Sequence, residues 1–151
     1  MRAGKALTGA ITAVATAGAV LALTPAAQAA ANPYTPTGVC GSGYYVVDSA
    51  TLRNSAGNAG GTLYLLYNGS NGYNCVVTIK GVAVGDWTAT YASLRVYDGN
   101  AFRMQEDGPK LYEYYAGPVK MYAAGKCVGA SGHTWGGGTQ YSATIPKGHC
   151  G

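Results

Sequence analysis

Charge is scarce in this chain: only 11% of its 151 residues are Asp, Glu, Lys or Arg. There are two histidines, His133 and His149, and one phenylalanine. No two cysteines stand in C-x-x-C spacing, no G-x-S-x-G element occurs, and no ten-residue stretch combines helical periodicity with caps. Each shortage excludes something. Without the nucleophile turn, and with His133 in a Gly-rich stretch and His149 beside Cys150, a Ser-His-acid triad has little to build on. The carboxylates Asp48, Asp86, Asp98, Glu106, Asp107 and Glu113 fall at predicted turns or strand flanks, which reads as surface charge, not as a facing pair for glycoside hydrolysis. The cysteine and histidine supply does not match a zinc site. The reading is therefore of a protein that is not an enzyme and needs no cofactor or metal.

What is abundant is glycine and tyrosine, 24 and 13 residues. Aliphatic side chains are few, so tyrosine rings are expected to supply much of the buried area. Residues 1–29 have the layout of a secretory signal peptide: Arg2 and Lys5, an apolar run from Ala6 to Leu23, and small residues at Ala27 and Ala29, with cleavage expected after Ala29. A retained membrane anchor is the alternative, since the run approaches bilayer length. The leader carries two of the ten basic residues and no acidic one, which leaves +2 on residues 30–151. The remaining basic residues are scattered, so no nucleic-acid partner is expected, and no membrane contact after cleavage.

All four cysteines lie in the exported part, which predicts two disulfides. Three connectivities are open. Cys40–Cys75 and Cys127–Cys150, which close the two local loops, are the pairing expected.

The clearest structural signal is Gly60 to Lys80, GGTLYLLYNGSNGYNCVVTIK, two β-rich runs about a polar pivot. Setting Tyr67 opposite Cys75, Leu65 opposite Val77 and Leu63 opposite Ile79 makes one face wholly apolar. The Leu66–Val76 pair on the second face predicts cover on both sides. The flanking segments read as follows. Ala30 to Thr37 is an extended arm whose prolines bar a helix, and Gly43 to Ser49 is the first strand. Trp87 to Tyr97 alternates, with Thr88, Thr90, Ala92, Leu94 and Val96 on one face. Asp98-Gly99 begins a hairpin with a three-residue bulged turn, which would put Phe102 and Met104 on the face of Leu94. Glu106 to Lys110 reads as a second turn, and Leu111 to Ala124 as a strand interrupted at Gly117-Pro118. Lys126 to Ala130 is a short strand, Ser131 to Gly138 a mobile loop, and Thr139 to Ile145 a strand facing Tyr141, Ala143 and Ile145 inward. The fold class is all-β, a small disulfide-stapled sandwich or partly open barrel of seven to nine strands formed by residues 30–151.

Asn68-Gly69-Ser70 matches a glycosylation sequon but reads as turn chemistry. Aromatics are the better functional lead: Trp87, Trp135 and Tyr141 are candidates for a flat platform on which a sugar or polymer rests.

The stretches NPYTPTGVCGSG (residues 32–43), TLYLLYNGSNGYNCVVTIK (62–80), YAGPV (115–119), AGKCV (124–128) and HCG (149–151) resemble the spore-associated proteins secreted by filamentous actinomycetes. The resemblance includes all four cysteines and implies a small exported protein found with spores or aerial growth, without a known catalytic site. Three functions then stand: a structural protein of the spore or cell surface, a module binding a cell-wall or spore-surface polymer, and a small secreted protease inhibitor that presents Ser131 to Gly138.

Overall fold

The computed structural model describes residues 30–151; the expected signal peptide and its expected cleavage site lie outside the described residues. A five-residue helix, α1 (Pro36–Cys40), precedes eight strands: β1 (Tyr45–Arg53), β2 (Ala59–Asn68), β3 (Tyr73–Lys80), β4 (Thr88–Asp98), β5 (Ala101–Tyr112), β6 (Tyr115–Tyr122), β7 (Cys127–Gly136) and β8 (Thr139–Gly148). The strands pair antiparallel in the order β5-β4-β7-β8-β1-β2-β3-β6, a sheet curled into a nearly closed barrel.

The core has two parts because the central hairpin is covered on both sides. Leu63, Leu65 and Val76 face the barrel interior with Ala92, Leu94, Val96, Val119, Met121, Val128 and Ile145. Leu66, Cys75, Val77 and Ile79 face outward, where Cys40, Val39, Tyr44, Tyr64 and Tyr115 cover them. The Cys40–Cys75 disulfide ties α1 to this outer layer, and Cys127–Cys150 ties the last residues to the start of β7. Both expected pairings are present.

The central hairpin has the predicted strands in a different register. Leu66 faces Cys75, Leu65 faces Val76 and Leu63 faces Thr78. The turn decides this. Asn68 pairs with Tyr73, its side-chain oxygen accepts from the Ser70 N–H at 2.9 Å, and Gly72 closes the turn at φ 74°. Four residues bridge the strands, and the pairing shifts by one. Thr78 is tolerated inside because its hydroxyl donates to the Tyr91 carbonyl at 2.8 Å.

The second hairpin also departs from expectation. Asp98 pairs with Ala101 across a two-residue turn whose first residue is Gly99 at φ 62°. Phe102 and Met104 therefore lie beside Tyr97 and Arg95 on the outer face, exposed. The alternation of β4 is as predicted, with Thr90, Ala92, Leu94 and Val96 buried.

Three further segments differ. Pro36 occupies the first turn of α1, where its missing N–H costs nothing, and Thr35 caps the helix by accepting the Gly38 N–H at 3.1 Å. Glu106 to Lys110 is no chain reversal; it lies within β5, where the pairing with β4 shifts around Gly108. Ser131 to Gly138 is no loop either. β7 runs through it to Gly136, and only Gly137 and Gly138, both at positive φ, make the turn into β8. The segment suggested for an inhibitory loop is thus a paired strand.

Tyrosine does not fill the core. All thirteen tyrosines are half-buried or exposed, and aliphatic residues and alanines pack the interior. Rings such as Tyr112, Tyr64 and Tyr115 pack against the core from its margins and do not fill it.

Candidate functional site

The barrel nearly closes where β5 hands over to β6, and a cleft of about 340 Å³ lies at that corner. It is lined by Tyr34, Trp87, Asp107, Tyr112, Glu113, Tyr114, Tyr115 and Gly117. The sequence YEYY at residues 112–115 supplies half of the lining, because the chain bends at Glu113-Tyr114 and splays those four side chains around the corner.

Backbone hydrogen bonds fix the walls. The Gly85 N–H donates to the Glu113 carbonyl at 2.9 Å, which holds the turn before Trp87 against the corner. The Asn32 side-chain amide donates to the carbonyls of Tyr114 at 2.7 Å and Lys80 at 3.0 Å, which brings the N-terminal arm across. Tyr34 then lies 5.3 Å from the Tyr114 ring and 4.9 Å from the Tyr115 ring. Trp87 is the most exposed aromatic of the described residues, at 65%.

The polar groups are ordered by the seam. Asp107 accepts the Tyr112 hydroxyl and the Gly117 N–H at 2.8 Å, and Lys110 approaches it to 3.6 Å. Burial, helped by the adjacent Asp107 carboxylate, pushes the Tyr112 phenol up to about 12. Beneath the corner Lys80 is fully buried, its ammonium donating to the carbonyls of Asp86 at 2.7 Å and Tyr112 at 3.0 Å. Desolvation lowers its pKa, while Asp86 and Glu113 act against that shift.

Of the three aromatics singled out from sequence, Trp87 is in this cleft. Trp135 is exposed on β7 and pairs with Gln140. Tyr141 pairs with Thr134, which is buried, so it lies on the opposite face from Trp135 and packs its ring against Gly60. The three do not form one surface. Tyr34, Tyr112, Tyr114 and Tyr115 are not among the expected site residues, and Asp107 and Glu113, read from sequence as surface charge, line the cleft; the dense Tyr-Glu-Tyr-Tyr run is the available signal.

The histidines do different things. His133 stacks on Tyr91 at 5.0 Å, 17° between planes, and burial lowers its pKa. His149 meets Asp48 at 2.7 Å near the chain's last residues. Among the described residues no three His, Cys, Asp or Glu side chains gather as a metal site, and no helix is long and apolar enough to cross a membrane. The sequon Asn68 is 7% exposed and its side chain caps the turn, so it is not presented for modification.

No family model and no solved structure matches the chain. Over 130 residues it is 42% identical to spore-associated protein A of Streptomyces coelicolor, an alignment covering 84% of this chain and 75% of that relative. By that similarity the chain belongs to the spore-associated protein A-like family.

Proposed function

We propose that this is a non-catalytic, exported protein of the spore or cell surface, a rigid stapled barrel that works through the contacts of its outer face. The observation that carries the reading is the placement of the aromatics. Tyr34, Tyr45, Tyr73, Trp87, Phe102, Tyr122 and Trp135 all stand exposed, while the core is satisfied by aliphatic residues. Rings with an apolar body and a polar tip are suited to adhesion at a wet interface. Two disulfides among the four cysteines, with none left free, fit an oxidising compartment.

Immunolabelling of intact spores and hyphae, with sequencing of the N-terminus of the recovered protein, tests this. Label at the surface and a chain beginning at Ala30 are expected. Label confined to the cytoplasm, with Met1 retained, ends the proposal.

A second reading, binding of a wall or spore-surface polymer, is favoured by one feature: the corner cleft combines an exposed indole with tyrosines and carboxylates.

A further inference from the structure

We infer that the corner cleft is a binding site for an uncharged pyranose glycan, whose ring stacks on Trp87 while its hydroxyls donate to Glu113. This names the ligand class behind the polymer-binding reading above and rests on it.

Three observations carry the inference. First, the cleft is concave, and its roughly 340 Å³ falls in the range of small-molecule sites, about 300–1,000 Å³. Second, its walls are already built. The bonds from Gly85 to Glu113 and from Asn32 to Tyr114 and Lys80 fix the loop, the corner and the arm, so a ligand need not order them. Third, the lining chemistry matches a sugar. A pyranose offers an apolar C–H face and a rim of hydroxyls. Trp87 gives a ring face open to solvent, and Tyr34 and Tyr114 give phenols at the side. Among the described residues Glu113 forms no ion pair within 4 Å, and it has two oxygens with which to accept neighbouring hydroxyls. Asp107, by contrast, is held by Tyr112 and Gly117 and serves the wall.

Charge sets the class. Among the described residues two carboxylates and no basic side chain line the cleft. Lys80, the cation beneath it, is committed to the carbonyls of Asp86 and Tyr112, and Lys110 at the margin stands 3.6 Å from Asp107. Uronic acids and phosphate-bearing polymers would therefore meet a site that repels them.

The test is titration of the unreduced protein with β-1,4-linked tetrasaccharides of N-acetylglucosamine and of glucose, and with a galacturonic acid tetramer, followed by calorimetry and tryptophan fluorescence. At least one neutral tetramer is expected to bind saturably and the uronic tetramer not at all. Trp87→Ala and Glu113→Gln should each weaken binding by about tenfold or more, the loss of one well-placed contact. Trp135→Ala should leave binding unchanged. Trp87 is exposed, so its variant should fold; circular dichroism checks this. Failure of both neutral tetramers to bind, equal binding of the uronic tetramer, or unchanged binding by Trp87→Ala overturns the inference. Surface labelling of spores would survive any of these results, so the loss of the glycan site and the loss of the surface role are separable.

Discussion

The Asp107 carboxylate on β5 accepts the Gly117 N–H of β6 at 2.8 Å, a hydrogen bond between the two strands that end the sheet. The same side chain receives the Tyr112 hydroxyl, so one residue joins the seam and shapes the cleft wall. Asp107→Ala should lower stability by about 2–3 kcal/mol, the scale of hydrogen bonds to a charged acceptor. Urea denaturation measures it. A loss near zero would show that the seam does not depend on this contact.

Tyr112 should be visible in an alkaline titration. Its folded pKa is raised to about 12 from the ordinary 10.0, so the folded state holds the proton more tightly than the unfolded chain. The stabilisation is fully present below 10.0 and is lost as pH rises through about 12. Phenolate absorbance should show a late step that disappears in Tyr112→Phe. If the variant keeps that step, the assignment fails.

Lys80 has the opposite sign. Burial lowers its folded pKa, so the unfolded chain holds the proton more tightly and stability rises as pH climbs toward the ordinary value of 10.5. Lys80→Met would leave the carbonyls of Asp86 and Tyr112 without this donor, and should cost about 3 kcal/mol. The gap between wild type and variant should widen from neutral pH toward 10.5. Paired denaturation curves decide the point; a gap that narrows contradicts it.

Gly132 lets β7 approach the strands across the barrel. A Cβ there would stand 2.3 Å from the Thr78 hydroxyl oxygen and 2.9 Å from a Leu63 methyl. Gly132→Ala should destabilise by about 1–3 kcal/mol through overpacking. A variant as stable as wild type in thermal melts would mean that the interior has room to spare.

The disulfides should be separable in strength. Cys40–Cys75 spans 35 residues and Cys127–Cys150 spans 23, which on the loop-entropy model gives about 3.8 and about 3.4 kcal/mol, a small gap of about 0.4 kcal/mol. Double Cys→Ala variants of each pair, compared in urea, should fall in that order. Thiol titration of the unreduced protein should find no free sulfhydryl among the four cysteines.

Much of this architecture was legible in the chain. The alternation of Thr90, Ala92, Leu94 and Val96 is a period-two signal that burial enforces, and the cysteine pairing followed from local loop closure. Register was not legible, because it depends on turn geometry at Asn68 and Gly99 that apolar pairing alone does not encode. Glycine misled in one place: SGHTWGGG looks like a loop, yet Gly132 and Gly136 sit in a strand where neighbouring side chains leave no room for a Cβ. The cleft was hidden for a related reason. Trp87 and Glu113 are 26 positions apart, and the far end of the β4–β5 ladder, where Thr88 pairs with Tyr112, together with the hydrogen bond from Gly85 to Glu113, brings them side by side.

The hydrogen-bonding edge that β5 turns away from β4 carries no ladder with another strand of the described residues. From Ala101 to Glu106 that margin is solvent-facing, with Phe102 and Met104 beside it. A bare strand margin is a template on which further chains can add, so crowding copies together invites lateral growth into aggregates. Arg103 and Glu106 place charge along the margin and the bulge at Gly108 bends it, features that oppose such addition.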